Sequence, residues 1–256
     1  MRKRIKLLIE YDGTSYQGWQ SQKSRRTVQD TLSERIGSIT GETVTLTGAS
    51  RTDAGVHALG QVAAFDTTSV LSPEKLRRAV NAKLPPDIRV RSAEVIGDSF
   101  HPRYDAVSKR YFYIIALERT PSAFIRNYAW HVRADIDLDA MRHAAAQLSG
   151  EHDFSSFRAS GCGARTTTRI VHALEIATFN AIEFMTAPVK GPVIKITIEA
   201  NAFLRHMVRN IVGTLVEVGR GKIPVEGISG ILASQDRTMA GPTAPSHGLF
   251  LESVFY

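Results

Sequence analysis

One order of strand and helix patterns runs through this 256-residue chain twice. In the first half, Ile5, Leu7 and Ile9 alternate with Lys6 and Glu10, so residues 4–11 read as a strand. Thr27, with Asp30 three residues on, predicts a capped helix start. Val28, Leu32, Ile36 and Ile39 give that helix one apolar face. Residues 43–48 and 59–67 read as strands. Ser72-Pro73 opens a second helix, with Leu76, Ala79 and Val80 facing inward, and residues 88–96 close the set as a strand. This β-α-β-β-α-β order is the ferredoxin-like arrangement.

The second half offers the same order in different residues. Residues 109–117 read as a strand, and residues 138–149 as a helix ending at Gly150, with Leu138, Met141, Ala145 and Leu148 inside. Residues 168–178 and 193–201 read as strands, and residues 203–218 as a long apolar helix stopped by Gly219. A shorter helix at 225–233 precedes a final strand at 248–255. The halves share a topology without a convincing sequence repeat. The expected fold is therefore α+β, with two ferredoxin-like halves, residues 1–105 and 106–256. They would form a pseudo-twofold pair of antiparallel sheets with a central cleft, a common place for a substrate.

Charge points to the kind of substrate. Lys and Arg total 32 against 25 Asp and Glu, a formal net charge of +7. That balance suits a polyanionic partner. The basic residues fall into small groups: Arg2-Lys3-Arg4, Lys23-Ser24-Arg25-Arg26, Arg77-Arg78, Arg89-Val90-Arg91, Lys109-Arg110, and several from Arg158 to Arg169. Carried on folded elements, such groups can track a phosphate backbone. No apolar run approaches a membrane span. The basic start is followed by a stretch too short and too charged for a signal peptide. The single cysteine, Cys162, excludes an internal disulfide and any Cys-pair metal site. A cytoplasmic enzyme is the simplest reading.

The candidate chemistry lies in Ala49-Ser50-Arg51-Thr52-Asp53-Ala54-Gly55-Val56-His57-Ala58. Glycines at 48 and 55 suit a shaped loop, and loops on a rigid scaffold are where reactive groups tend to sit. Asp in a loop also caps turns through its own backbone. Three features favour chemistry at Asp53: the nearby cation Arg51, a basic set of Arg205, His206 and Arg209 on an otherwise apolar helix, and Tyr111 at the start of a core strand. An Arg on a buried helix face needs an anionic partner, and Asp53 can be that partner for Arg209. A carboxylate paired in this way is ionised at neutral pH, and an ionised, partly desolvated carboxylate can act as a nucleophile.

Other motifs carry less. Tyr11-Asp12-Gly13-Thr14-Ser15-Tyr16-Gln17-Gly18 follows a strand but fits no phosphate-binding glycine motif, and reads as a glycine-supported turn. Tyr16 and Trp19 nevertheless offer rings that can stack on something flat. The eight histidines form no trusted ligand pair, so no metal is expected. His57 stands alone in the loop, either structural or in contact with substrate. A Ser-His-Asp triad lacks its usual elbow, and Cys162 is read as incidental.

The loop from Gly48 to Ala58, Tyr11-Asp12-Gly13-Thr14 with Gly18-Trp19-Gln20, Lys109-Arg110-Tyr111, His152-Asp153-Phe154-Ser155-Ser156-Phe157, and Asn201-Ala202-Phe203 with His206-Met207-Val208-Arg209-Asn210 resemble TruA-type tRNA pseudouridine synthases. The resemblance runs from the first strand to the last. It implies the pseudouridine synthase fold and a cofactor-free, metal-free isomerase acting on tRNA uridines at positions 38, 39 and 40. It also implies a homodimer whose tRNA contacts both subunits. By the same resemblance, Asp53 is the nucleophile and Arg209 its partner. Tyr111 packs against the target base and takes part in proton removal at C5. Arg51 occupies the vacated base position or steers flipping. His57, Arg205 and Asn210 are expected to bind substrate. The residues leave open whether Asp53 attacks C1′, attacks the ring or removes a sugar proton.

Two alternatives compete. A non-catalytic RNA-binding module explains charge and topology, but gives no reason for an Arg-Asp loop and lacks an aromatic RNA-binding strand. A hydrolase working through Asp53 lacks the second carboxylate or metal that such chemistry normally uses.

Overall fold

The structure, a computed structural model, describes residues 2–120, 122–184 and 187–256. The elements in chain order are β1 (Lys3–Tyr11), α1 (Val28–Thr40), β2 (Thr47–Gly48), β3 (His57–Thr67), α2 (Pro73–Lys83) and β4 (Ile88–Ile96). Then follow β5 (Ser108–Ala116), β6 (Trp130–His131), α3 (Leu138–Ala146), β7 (Gly150–Asp153), β8 (Thr168–Phe184) and β9 (Ala187–Ala200). The chain ends with α4 (Met207–Gly219), α5 (Gly227–Ser234) and β10 (Leu249–Phe255). It divides into two compact units, residues 1–107 with 250–256, and residues 108–249. The mixed α+β composition fits the pseudouridine synthase fold.

In the first unit β1 lies between β4 and β3, antiparallel to both. β2 pairs the end of β3, while β10 runs parallel to its start, with Phe250 opposite His57. Register decides the core. Ile5 faces Phe65 and Leu7 faces Ala63, so these side chains share one sheet face. Leu7 and Phe65 meet Ile36 of α1 and Leu76 and Val80 of α2 in the interior. Each such side chain contributes roughly 1.5–3 kcal/mol on burial. The Thr27 hydroxyl accepts from the Asp30 N–H and donates to the Asp30 carboxylate, closing the expected helix start. At the end of β1 the register slips: Ile9 faces Gln61, but Tyr11 faces Ala58. One extra residue of β3 is accommodated there. Such bulges re-aim side chains and recur beside functional sites.

In the second unit β9 lies between β5 and β8, and β7 adds to the outer side of β8. Buried Met141, Ala144 and Ala145 of α3 and the apolar length of α4 form the helical layer. A Cβ at Gly219 would come within 2.9 Å of Met141 Cγ, so α3 and α4 pack at the distance only glycine allows.

Four element boundaries differ from expectation. The strand expected at 43–48 shrinks to Thr47–Gly48, because the Gln29 side-chain N–H of α1 takes the Leu46 carbonyl. The hairpin of β8 and β9 is much longer than 168–178 and 193–201. A bulge between Phe179 and Ala181 lets β8 continue where the alternation breaks. The helix expected from 203 begins at Met207, because His206 adopts a left-handed conformation with φ 61° that no helix residue can take. Arg205 and His206 therefore lie in the preceding turn, and of the three expected helix cations only Arg209 is on α4. Helix α3 ends at Ala146, three residues early, as its last carbonyls are taken by a tighter turn.

Thr27→Ala removes both cap bonds and one buried methyl group. It should cost about 1 kcal/mol, read as a lowered urea midpoint with an unchanged slope.

Candidate active site

The Arg51–Asp53 turn stands on a buried floor made by the Tyr11–Trp19 segment. Thr52 is buried, and its hydroxyl meets the Tyr11 hydroxyl at 2.7 Å. The bulge at the end of β1 is what aims Tyr11 at it. The Trp19 N–H donates to the Thr52 carbonyl (3.1 Å), and the Gly55 N–H donates to the Tyr16 carbonyl (3.2 Å). Within the turn the Val56 N–H donates to the Asp53 carbonyl (3.2 Å). Ser50 is gripped at both backbone groups by Gln61 of β3: its N–H donates to Oε1 (3.2 Å) and its carbonyl accepts from Nε2 (2.8 Å). Each bond contributes roughly 0.5–1.5 kcal/mol net. Together they leave the turn little freedom. The resulting order is Arg51 exposed, Thr52 buried, Asp53 half-buried.

Two glycines allow the floor to lie this close. A Cβ at Gly13 would fall 2.0 Å from the Val56 carbonyl oxygen. At Gly18, with φ 90°, it would fall 2.5 Å from the Thr52 carbonyl oxygen. The Tyr11–Gly18 segment is thus the glycine-supported turn the sequence suggested, and it serves the Asp53 loop. Tyr16 and Trp19 are each 1% exposed. What these rings pack on lies within the protein: Trp19 packs against Tyr11, and Tyr16 lies under the Arg26 guanidinium with its hydroxyl donating to Asp87 (2.6 Å). Burial, with Asp87, holds the Tyr16 hydroxyl above the ordinary tyrosine range.

His57 is 2% exposed and stacked on Phe250, with ring centroids 4.6 Å apart. Its Nδ1 accepts from the Gly13 N–H (3.1 Å) and lies 3.1 Å from Asp12 Oδ1. Its place is inside the foundation of the loop. Gln61, fully buried in an apolar strand, was not singled out from the sequence. A polar residue at that position, between Gly60 and Val62, was the available signal.

The second unit holds the other candidates. Tyr111 of β5 is 6% exposed, its ring edge-on to Phe203 at 5.0 Å. Arg209 is half-buried in the first turn of α4. Its Nε donates to the Ala244 carbonyl (2.7 Å), and the Ala244 N–H donates back to the Arg209 carbonyl (3.0 Å). Tyr113 donates to the neighbouring Pro245 carbonyl (2.7 Å), and burial raises its pKa although Arg209 opposes this. Burial also lowers the pKa of His247, and Arg209 adds to that. Arg205 is exposed and donates to the Ser160 carbonyl (3.1 Å). Asn210 is fully buried: its amide donates to the Phe157 carbonyl (2.7 Å), and its oxygen accepts from Thr243 (2.6 Å) and Arg237 (3.1 Å). Like His57, Asn210 is placed as a brace within the protein.

Among the described residues no group of three or more His, Cys, Asp or Glu is placed to hold a metal ion, and no helix is long and apolar enough to cross a membrane. A family model described as tRNA pseudouridine synthase matches residues 7–105 and 144–256. A protein named tRNA pseudouridine synthase A from Thermoanaerobacter sp. (strain X514) is 47% identical over 254 residues, covering 99% of this chain and 100% of that one. Proteins of the same name from Acetivibrio thermocellus and Myxococcus xanthus are 44% identical over 254 residues and 45% over 253. They cover 99% of this chain each, and 100% and 92% of their own lengths.

Gly18→Ala forces a side chain into the Thr52 carbonyl from a left-handed backbone. It should cost about 1–3 kcal/mol in urea unfolding. Gly97→Ala, which meets nothing within 4 Å, should stay within about 0.5 kcal/mol of the parent.

Proposed function

The chain belongs to the tRNA pseudouridine synthase family, and from that premise we propose that it isomerises uridines at positions 38, 39 and 40 of tRNA to pseudouridine, with Asp53 as the reactive carboxylate. The observation that carries this reading is the bracing of Thr52 from below. It holds Asp53 half-buried at the edge of a fixed turn, beside the exposed cation Arg51.

The reaction breaks the N1–C1′ bond, turns the base and joins C5 to C1′. The proton lost from C5 is balanced by one gained at N1, so no atom is added and nothing is oxidised or reduced. The sugar carbon becomes electron-poor as the bond breaks, and a fixed carboxylate is suited to meet that charge. In this reading Arg209 is the cation paired with Asp53, and the Ala244 carbonyl fixes its orientation. Tyr111 packs against the target base and takes part in removing the C5 proton. Arg51, free of the packing that buries Thr52, steers the base out of its stack, which costs a few kcal/mol. Exposed Arg205 contributes to tRNA binding, whereas His57 and Asn210 act through the loops they brace. The working form is a cytoplasmic homodimer whose tRNA contacts both subunits.

Basic surface supports a polyanionic substrate. In the first unit Arg25, Arg26, Arg35 and Lys83 line an open groove shared with Asp30 and Glu34. Arg26 lies flat over the Tyr16 ring, 4.5 Å from its centroid.

Asp53→Asn keeps the shape of the side chain and removes its charge. It should abolish pseudouridine formation, mapped by chemical sequencing of tRNA, while tRNA affinity stays within about tenfold. Turnover surviving in this variant takes the reactive role from Asp53. Affinity for tRNA should fall at least about tenfold between about 50 and about 200 mM salt, as phosphate contacts release counterions. A flat salt profile argues for a partner other than RNA.

A further inference from the structure

Arg237 lies beyond α5, outside every role assigned above, yet its guanidinium reaches into α4. Its Nη2 donates to Asn210 Oδ1 (3.1 Å) and to the Thr243 hydroxyl (3.1 Å), and its Nη1 donates to the Ala240 carbonyl (3.2 Å). The Thr243 hydroxyl also donates to Asn210 Oδ1 (2.6 Å). Arg237 and Thr243 are thereby both tied to one side chain of α4, and Ala240 is held through Arg237. That side chain is itself fixed, because its amide donates to Phe157. Burial holds the Arg237 pKa below the ordinary arginine value.

The segment also lies directly on the helix. A Cβ at Gly213 would fall 1.7 Å from the Pro242 carbonyl oxygen, and the Gly241 N–H donates to the Thr214 hydroxyl (2.9 Å). The next residue in the chain is Ala244, whose carbonyl and N–H both bond Arg209. A guanidinium is planar, so a bond at Nε sets the direction in which its other nitrogens point. Arg209 and Asn210 are adjacent on α4, so the clamp closes within one residue of the cation it would orient.

We propose that Arg237 is a positioning residue that tethers residues 240–243 to Asn210 and so sets the Ala244 carbonyl that orients Arg209 for the uridine reaction. This rests on the role of Arg209 given above. Arg237 touches neither substrate nor reacting atoms and acts only through Arg209.

Coupling between the two arginines tests it. Single-turnover rates and tRNA affinities would be measured for Arg237→Gln, Arg209→Lys and the double variant. Arg209→Lys keeps the charge but removes the Nε held by Ala244. We expect Arg237→Gln alone to slow turnover about tenfold, with tRNA affinity within about threefold, and to cause no further loss in the Arg209→Lys background. Thr243→Val, which removes one tether without removing a charge, should show the same coupled pattern with a smaller loss, and serves if Arg237→Gln does not fold. Equal losses in both backgrounds, or a full rate in Arg237→Gln while Arg209→Lys is slow, overturn the positioning role alone. A full rate in Arg209→Lys overturns the role of Arg209 and, with it, this proposal.

Discussion

Thr52 is the point on which the site is built. Its hydroxyl meets Tyr11 and its carbonyl accepts from the Trp19 N–H, so both are anchored at the end of β1 and in the segment that follows it. With Thr52 fixed into that floor, its neighbours in the turn lie nearer the surface, Arg51 exposed and Asp53 half-buried. The arrangement depends on close backbone approach, which is why glycines stand where the two segments cross, and on Gln61, which holds the turn from the strand side. A buried amide with both ends satisfied adds rigidity that an apolar residue of the same size would not.

Much of this was legible in the residues. Apolar spacing located β1, α1, α2 and β5 to within a residue or two, because each buries one regular face. The Thr27 and Ser72 caps mark helix starts by a bond made within one turn of the chain. Legibility failed where long-range partners decide. Thr43 to Leu46 has strand composition, but a helix glutamine takes the carbonyl that a neighbouring strand would need. The bulge between Phe179 and Ala181 carries β8 across irregular spacing that reads as its end. His57 and Asn210 read as groups aimed at a ligand because polar residues in a reactive motif invite that inference. Both are instead buried, where unsatisfied polar atoms would be expensive and where each finds backbone partners.

The basic character of the chain also divides on inspection of the structure. Arg2 and Arg4 both pair with Asp66, Arg77 and Arg78 with Glu74, and Arg110 with Glu199. Each carboxylate offsets one of the cations beside it, and the exposed pairs add little stability. The Arg25 to Lys83 groove keeps more cations than acids. A local excess of this kind raises the potential along the groove and draws a polyanion toward it.

The strand β10 has a consequence for the order in which the first unit can assemble. It is separated along the chain from β3 by the whole of the second unit, yet it lies alongside β3 and supplies the ring on which His57 rests. The lateral support of the Asp53 turn is therefore a contact of very long sequence separation. Closing so long a loop costs more chain entropy than any pairing among β1 to β4, and such contacts form late in folding.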